Sequence, residues 1–237
     1  MSLDEEKKLQ QDNLEKMPIE VVFFDVGNTL LFPDHDKTLA PLWNRGIRPT
    51  EAQLFAAERV ARQEMDLIVS QTRKVDQQYW ETYYSHLLRT LKISDISLRL
   101  ELVNLARTSS NWSRMLPGTT DVLELMKTKY RLGVISNSDG RMAERLASIG
   151  LGKYFEHVID SGNVGYEKPA PQIFQAALAR MSVPGDRALY LGDIYSIDYL
   201  GAQKAGMSAM LIDIAGVYPA RNLPRIGALD ELPTLLG

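Results

Sequence analysis

The sequence has no cysteine among its 237 residues, only three histidines, and no excess of either charge. The absence of cysteine excludes disulfide scaffolds, thiolate zinc sites, iron–sulfur clusters and cysteine nucleophiles. With 27 basic and 30 acidic residues the net charge is −3, whereas domains that bind nucleic acid usually carry a basic excess. No apolar run approaches the roughly 20 residues needed to cross a bilayer. We therefore expect a soluble cytoplasmic protein without a nucleic-acid or membrane partner.

Short apolar runs alternate with helical patterns through most of the chain. The runs lie at residues 19–24, 131–135, 188–191 and 209–212. Such near-continuous apolar runs are typical of strands buried on both faces of a parallel sheet. Helical patterns follow at residues 120–129, 141–149, 171–181 and 197–205, with a last helical turn at 228–232. This alternation predicts an α/β fold with a doubly wound, Rossmann-like parallel sheet.

A long helical insertion separates the first strand from the second. Its aromatic stripe is more typical of a bundle core than of a cofactor site, although a dimer surface is an alternative; it comprises Tyr79, Trp80, Tyr83, Tyr84, Leu87 and Leu88. The predicted organisation is a polar leader at 1–16, an α/β core at 17–32 and 114–237, and an all-helical cap at 33–113. We expect a monomer or a homodimer.

Polar side chains follow the predicted strands where each of them ends. Asp25 follows the first strand. Ser136 ends the second strand and Asn137 follows it, and Asp193 follows the third strand. In an open parallel sheet, ligands bind outside the carboxyl ends of the strands, so we expect these residues to share one crevice. A carboxylate at such a buried place is costly unless something uses or pairs it. Asp25, Asp193 and Asp198 together therefore predict a Mg²⁺ site, because this ion prefers oxygen ligands.

The remaining polar groups indicate phosphoryl chemistry. Ser136 and Asn137 offer a hydroxyl and an amide, and Lys168 offers a cation. Catalysis of phosphoryl transfer consists mostly of positioning and charge stabilisation, which these groups and a metal would supply. Taken singly, Ser136, Ser138 or Asp139 is explained equally well as a helix N-cap. The whole set favours a phosphoryl site.

Four segments, in order, resemble the motifs of the haloacid dehalogenase-like hydrolase superfamily. They are FDVGNTL at 24–30, ISN at 135–137, YEKPAPQIF at 166–174, and the stretch 191–207 that contains Asp193 and Asp198. The resemblance extends from about Ile19 to Leu236. The insertion resembles the cap of the phosphoglycolate phosphatase-like and dehalogenase-like branches.

The resemblance implies a role for each matching residue. Asp25 would be the nucleophile that forms an aspartyl-phosphate, which water then hydrolyses. Ser136 would bind the transferring phosphoryl oxygens, and Lys168 would neutralise charge on nucleophile and phosphate. Mg²⁺ would be held by Asp25, the backbone carbonyl of Gly27 and Asp193, with Asp198 bound directly or through water. A small phosphorylated metabolite would be the substrate, contacted by Asn28, Thr29, Asn137 and Arg45, with Thr29 also bracing the nucleophile loop.

Gly27 is a departure from the pattern of this family. Its phosphatases usually have at this position a second aspartate, which acts as general acid and then as general base. A positioned acid/base is typically worth about 10²–10⁴-fold in rate. Three explanations are open. The protein is a slow phosphatase, or one whose substrate has a good leaving group, such as an acyl phosphate. Alternatively, Asp34, His35 or Asp36 replaces the missing acid/base, or the protein is a silent relative that only binds a ligand or partner.

A 2-haloacid dehalogenase is a further alternative, because that branch also lacks the second aspartate. Such enzymes attack carbon, need no metal and use a cap arginine to take the halide, for which Arg45 is suitably placed in the sequence. However, Asp193 and Asp198 would repel an anionic haloacid unless a cation offset their charge. The sequence thus favours phosphoryl transfer. Arg45 and Arg48 are equally well explained as solvated surface charges.

Overall fold

The computed structural model describes residues 19–72 and 78–237, and it contains a six-stranded parallel sheet. The described strands are β1 (Val21–Phe24), β2 (Phe32–Pro33), β3 (Trp112–Arg114), β4 (Arg131–Ser136), β5 (His157–Asp160), β6 (Ala188–Gly192), β7 (Ser208–Ile212) and β8 (Arg225–Ile226). The order in the sheet is β5-β4-β1-β6-β7-β8, and β2 pairs with β3 separately. The predicted α/β fold and its four strands are confirmed. The two edge strands, β5 and β8, were not predicted.

Helices account for most of the remaining described residues. They are α1 (His35–Thr38), α2 (Ala40–Trp43), α3 (Glu51–Thr72), α4 (Tyr79–Thr90), α5 (Ile96–Arg107), α6 (Thr119–Lys127), α7 (Met142–Ser148), α8 (Ser161–Val164), α9 (Pro171–Met181), α10 (Leu200–Lys204) and α11 (Leu232–Leu236). A π-helical turn, Tyr195–Tyr199, leads into α10. Within the described residues, no helix combines the length and the apolarity that crossing a bilayer requires.

The apolar run of β1 is continuous because both faces of the sheet are covered. Val22 and Phe24 contribute to one core cluster, whereas Val21 and Phe23 contribute to the cluster on the other face. Successive side chains of a strand point to opposite faces, so a central strand covered on both sides needs apolar residues throughout. β1 lies between β4 and β6, and this central place carries Asp25 to the middle of the carboxyl edge.

The helical insertion α1–α5 lies between the paired strands β2 and β3. It has its own apolar core, in which Tyr83, Tyr84, Leu87 and Leu88 of the aromatic stripe are buried, so the bundle-core interpretation is confirmed for these four residues. The division into a core and a cap at 33–113 stays a prediction. The predicted leader at 1–16 lies outside the described residues.

The long helix α3 joins the insertion to the sheet. Met65 and Val69 of α3 form an apolar cluster with Ile197 of the π turn. Asp66 Oδ1 accepts a hydrogen bond of 2.9 Å from the backbone N–H of Ser196. These contacts place one face of α3 over the loop that follows β6, which is the loop that carries Asp193.

Candidate active site

Three carboxylates meet at the carboxyl edge of the sheet. Asp25 follows β1, Asp193 follows β6, and Asp198 lies in the π turn. All three residues are buried, and each offers an oxygen within 4.8 Å of the others. β1 and β6 are paired with Phe24 beside Leu191, so the residues that follow them leave the sheet side by side. The crevice expected from the strand ends is therefore present for these three residues.

Lys168 lies among these carboxylates and is itself only 3% exposed. Its Nζ donates to Asp25 Oδ1 at 2.6 Å, to Asp198 Oδ1 at 2.8 Å and to the hydroxyl of Tyr190 at 2.8 Å. An ammonium group has three protons, so this set of acceptors uses all of them. The lysine is therefore fixed in position as well as charged.

Tyr190 is a site residue that the sequence analysis missed. It lies within the buried strand β6, and its hydroxyl donates to Asp198 Oδ1 at 2.9 Å. A buried tyrosine usually places its hydroxyl against a hydrogen-bond partner. In the sequence, Tyr190 was visible only as one tyrosine in an otherwise apolar strand, next to the segment that contains Asp193. That pattern does not identify the hydrogen-bond partner of its hydroxyl.

Asp198 is fully occupied by protein donors. Its Oδ1 accepts from Lys168 and Tyr190, and its Oδ2 accepts from the backbone N–H groups of Asp193 and Ile194 at 3.1 and 2.9 Å. A carboxylate offers about four acceptor positions. A Cβ at Gly192 would lie 2.5 Å from Asp198 Cβ, so only glycine leaves room for this arrangement. Asp198 thus fastens the loop and orients Lys168.

The pKa values of the cluster reflect burial opposed by ion pairing. Burial raises the pKa of Asp25 to about 6, although the charge of Lys168 lowers it in part. Burial also acts on Asp198, but Lys168 and the hydrogen bonds outweigh it and lower the pKa of Asp198. For Lys168, the two carboxylates outweigh burial and raise the pKa above its usual value. One buried lysine therefore stabilises Asp198 as an anion more completely than Asp25.

A second buried cation, Arg62 of α3, reaches Asp193 from the insertion. Its Nη1 donates to the backbone carbonyl of Asp193 at 2.6 Å, and its Nη2 lies 2.9 Å from Asp193 Oδ2. It also pairs with Glu58 one turn earlier. The contact with Oδ2 is an ion pair without hydrogen-bond geometry, so this buried oxygen has no donor among the described residues. Burial raises the pKa of Asp193 well above its usual range even though Arg62 opposes the shift.

Arg62 was likewise not predicted from the sequence. Glu58, Arg62 and Asp66 recur at intervals of four residues and so share one face of α3. That spacing was visible in the sequence, but charged residues at such intervals are typical of a solvated helix face. Only the docking of α3 on the loop after β6 distinguishes a buried arginine from a surface one.

The donor set fits a magnesium ion. It consists of carboxylate oxygens, it is buried, and its three carboxylates carry more negative charge than Lys168 alone offsets. Mg²⁺ takes oxygen ligands and is commonly held by one or two carboxylates together with waters. Asp25 and Asp193 would supply these carboxylates. The filled acceptor positions of Asp198 favour contact through water.

The residues at the end of β4 have two different roles in the structure. Ser136 is buried at the end of the strand, near the loop that carries Asp25. Asn137 instead holds Lys168: its Oδ1 accepts from the Lys168 N–H at 2.7 Å, and its Nδ2 donates to the Lys168 carbonyl at 3.0 Å. The side-chain amide of Asn137 was expected to contact the substrate, but it is hydrogen-bonded to the backbone of Lys168.

A cavity of about 800 Å³ opens between the core and the insertion. Its lining includes Gly27, Ser136 and Asn137 together with Trp80 and Trp112, whereas the buried carboxylates and Lys168 are not part of the lining. Clefts of this size that combine apolar side chains with converging polar groups are typical small-molecule sites. The cavity therefore gives a small substrate access to the loops that carry Asp25 and Ser136.

Several other predicted residues lie outside the lining of this cavity. Asn28 and Thr29 belong to the tight turn after Asp25, where Asn28 has a positive φ of 51° and its N–H donates to Leu31 at 2.8 Å. Arg45 is exposed, and its guanidinium donates to the carbonyl of Pro41. Arg48 lies over the ring of Trp43. The structure does not bring these side chains to the cavity.

The suggested substitutes for the acid/base are likewise not part of the cavity lining. Asp34 caps α1 by accepting from the Asp36 N–H at 3.1 Å and pairs with Lys37, and these contacts outweigh desolvation and lower its pKa. Burial lowers the pKa of His35. These residues serve the start of the insertion.

Comparisons with known proteins agree with this architecture. A family model for haloacid dehalogenase-like hydrolases matches residues 19–206. The chain is 43% identical over 102 residues to glyceraldehyde 3-phosphate phosphatase of Methanothermobacter thermautotrophicus, an alignment that spans 42% of this chain and 45% of that protein. It is 29% identical over 203 residues to glyceraldehyde 3-phosphate phosphatase of Pyrococcus abyssi, covering 81% of this chain and 80% of that protein.

Among solved structures, the HAD-hydrolase YfnB of Bacillus subtilis, bound to magnesium, superposes with a TM-score of 0.66. The superposition covers 92% of this chain and 99% of that protein at 20% identity, which establishes a common fold. Because the family model spans most of the chain, from β1 through the turn after α10, the match includes every residue of the carboxylate cluster. The chain therefore belongs to the haloacid dehalogenase-like hydrolase family.

Proposed function

We propose that the chain is a Mg²⁺-dependent phosphatase that hydrolyses phosphomonoesters or acyl phosphates through an aspartyl-phosphate on Asp25. The observation that carries this proposal is the buried group of Asp25, Asp193 and Asp198 around Lys168 at the carboxyl edge of the sheet. The names of the two archaeal relatives support phosphatase activity. The substrate would be a small phosphorylated metabolite in the cytoplasm, and the protein would act as a monomer or homodimer.

Asp25 would attack phosphorus through a carboxylate oxygen. Lys168, at 2.6 Å from Asp25 Oδ1, keeps this side chain oriented and offsets charge as the phosphoryl group approaches. Bound Mg²⁺ would supply further positive charge to the phosphoryl oxygens and to the carboxylates. Ser136, which lines the cavity, would bind the phosphoryl oxygens together with the backbone around it. Such fixed charges and donors are the main means of catalysing phosphoryl transfer.

Asn137 and Tyr190 would act through Lys168. Asn137 holds the backbone of Lys168 with two hydrogen bonds, and Tyr190 accepts from its Nζ. Neither residue needs to touch the substrate for this role. Their contribution is to remove alternative positions of the lysine, so that its charge is already in place when the substrate binds.

The position of Gly27 limits the proposed chemistry. With no carboxylate there, the leaving group receives no proton from that residue, and the water that hydrolyses the intermediate is not activated by it. We therefore favour substrates whose leaving groups depart as stable anions, as in acyl phosphates. For phosphate esters of alcohols, an acid/base is typically worth about 10²–10⁴-fold.

A silent, ligand-binding relative is the second candidate, and the ion pair of Arg62 with Asp193 favours it. This pair occupies a carboxylate on which the metal site depends. A dehalogenase is less well supported, because Arg45 is exposed and its guanidinium donates to the carbonyl of Pro41.

The test is phosphate release from acetyl phosphate and p-nitrophenyl phosphate with Mg²⁺ and with EDTA, for the wild type and Asp25→Asn. The proposal predicts Mg²⁺-dependent release that the substitution abolishes, with acetyl phosphate the better substrate. Release that EDTA leaves unchanged would overturn the metal dependence. If neither substrate is hydrolysed but phosphate with Mg²⁺ raises the melting temperature, the silent relative becomes the better interpretation.

A further inference from the structure

Trp112 covers the position where an acid/base carboxylate would be attached. A Cβ built on Gly27 would lie 3.3 Å from Cζ3 and 3.7 Å from Cη2 of this indole. These atoms belong to the six-membered ring, which carries no polar group. The side of the nucleophile loop that faces the cavity therefore meets hydrocarbon at Gly27.

The orientation of the ring is fixed from several directions. Trp112 Nε1, its only side-chain donor, donates to the carbonyl of Ala106 at 2.8 Å. Its backbone carbonyl accepts from Arg145 at 2.9 Å, and Trp80 packs edge-on with the ring centroids 5.6 Å apart. The indole N–H is thus committed to the insertion and is not available to a leaving group.

The two carboxylates of the cavity lining, Asp139 and Glu144, are exposed and make their contacts with Arg141. Asp139 Oδ1 accepts from the backbone N–H of Arg141 at 3.2 Å, and Glu144 pairs with the Arg141 side chain at 3.2 Å. Near Gly27 the lining is apolar and largely aromatic, because Trp112 and Leu31 adjoin Gly27 and Trp80 packs on Trp112. Such a wall excludes water and binds planar apolar groups. The lining as a whole also includes three arginines, Arg107, Arg141 and Arg145.

We propose that Trp112 is the specificity-determining residue for the leaving group, and that it selects acyl phosphates with a planar apolar acyl group. The proposal rests on the proposed function, since it concerns the substrate class of the same site. The ring contributes contact area to the acyl group and takes the space of a proton donor. Leaving groups that need protonation are therefore disfavoured by the same residue that binds the preferred ones.

The chemistry balances without a proton donor at Gly27. A carboxylate oxygen of Asp25 forms a bond to phosphorus, and the bond between phosphorus and the acyl oxygen breaks. The bonding pair leaves with that oxygen, so that the acid departs as a carboxylate anion. Water then attacks phosphorus, and the bond between phosphorus and the Asp25 oxygen breaks. Both protons of the water leave with the product as dihydrogen phosphate, and Asp25 is again a carboxylate.

The turnover test compares benzoyl phosphate, acetyl phosphate and phenyl phosphate, using the wild type, Trp112→Phe and Trp112→Ala. For the wild type we expect kcat/KM for benzoyl phosphate to exceed that for acetyl phosphate by about tenfold, mainly through KM, since an aromatic contact is worth on the order of 1 kcal/mol. Phenyl phosphate should be at least about 100-fold poorer because its leaving group needs a proton. Trp112→Phe should retain the preference for benzoyl phosphate, and Trp112→Ala should lose it.

The decisive pair of variants is Gly27→Asp and Gly27→Asp combined with Trp112→Ala. Alone, the new carboxylate meets the indole, so phenyl phosphate should gain less than about threefold, whereas in the double variant it should gain about tenfold or more. A large gain from Gly27→Asp alone, or none in the double variant, would overturn the proposal. Circular dichroism and melting temperatures identify any variant that has not folded.

Binding provides a test that does not depend on turnover. With Mg²⁺ present, phenylphosphonate should bind the wild type about tenfold more tightly than methylphosphonate, by isothermal titration, and Trp112→Ala should abolish this difference. Equal affinities in the wild type, or a difference that survives in Trp112→Ala, would overturn the proposal. If no substrate is hydrolysed but the binding preference depends on Trp112, the proposed function fails while Trp112 remains the residue that selects the ligand.

Discussion

Lys168 and Arg62 are two buried cations that serve the same group of carboxylates from different parts of the chain. Lys168 precedes α9 of the core and pairs with Asp25 and Asp198. Arg62 lies on α3 of the insertion and pairs with Asp193 and with Glu58 of its own helix. Both are almost fully buried, at 3% and 1% exposure. The two cations are thus alike in burial and charge and differ in the element that carries them.

The difference lies in what each ion pair depends on. All partners of Lys168 belong to the core, so its contacts do not depend on the insertion. The contact between Arg62 and Asp193 joins the insertion to the core and exists only while α3 is docked. Lys168 therefore acts as a permanent part of the site. Arg62 is a conditional part, and it approaches the same carboxylate that a metal would use.

The largest expected effect comes from removing the permanent cation. Lys168→Met leaves Asp25 and Asp198 buried without their partner, and breaking a buried pair typically costs about 3–5 kcal/mol. Urea unfolding should show this loss. Mg²⁺-dependent phosphate release should fall by at least about 10³-fold, because the positive charge that offsets the nucleophile and the phosphoryl group is lost. Lys204→Met, at an exposed position of α10, is the matched control. Wild-type turnover by Lys168→Met would contradict a permanent role.

Removing the conditional cation should have a different effect. In Arg62→Gln, Mg²⁺ no longer competes with a guanidinium for Asp193, so we expect the metal to bind about tenfold more tightly, a change of about 1.4 kcal/mol. Isothermal titration of the metal-free protein measures this change directly. Arg59→Gln is the control, since Arg59 lies on the same helix and bonds only to the Ala215 carbonyl among the described contacts. Weaker Mg²⁺ binding in Arg62→Gln would show that the arginine supports the metal instead of opposing it.

A smaller effect is expected from the phenol that orients Lys168. Tyr190→Phe keeps the ring but removes one acceptor from Lys168 and one donor from Asp198. The lost hydrogen bonds should lower the free energy of unfolding by about 1–3 kcal/mol. Turnover should fall less than in Lys168→Met, because the charge remains. A loss as large as that of Lys168→Met would assign Tyr190 a direct part in the chemistry.

The smallest effect is the pH dependence of the metal-free protein. Burial raises the pKa of Asp25 from its ordinary 3.8 to about 6, so between these values the folded state binds the proton more tightly than the unfolded state. The contribution of Asp25 to the free energy of unfolding therefore falls as the pH rises through this window. The free energy of unfolding is measured with urea in EDTA for the wild type and for Asp25→Asn. The wild-type value minus the variant's value should decrease from about pH 4 to about pH 6. An increase over this range would mean that Lys168 outweighs burial at Asp25 as it does at Asp198.

The parts of the site that the sequence predicted are those fixed by strand topology. Asp25 and Asp193 follow strands that a parallel sheet brings together, and Lys168 lies in a segment that resembles a family motif. Arg62 and Trp112 were not predicted, because their positions depend on how the insertion packs against the core. Arg45 was considered from its place in the chain, yet it is exposed. The local sequence pattern therefore identified the site residues of the core. The site residues outside it could be identified only from the packing of the insertion against the core.

The fold shows the same division. The central strands were predicted because burial on both faces gives them unbroken apolar runs. The edge strands β5 and β8 were missed, since β5 contains His157 and Asp160 and β8 is only two residues long. An edge strand has one neighbour and weaker sequence constraints, so its pattern resembles that of a loop.

The most direct test of the central claim is to identify the phosphorylated residue. Acetyl phosphate carrying a radioactive phosphoryl group is mixed with the protein and Mg²⁺, quenched in acid and mapped by peptide. We predict label on the peptide that contains Asp25, retained because Gly27 provides no base to speed its hydrolysis, and absent with EDTA or in Asp25→Asn. Label on a different residue, or phosphate release by Asp25→Asn at the wild-type rate, would contradict the account.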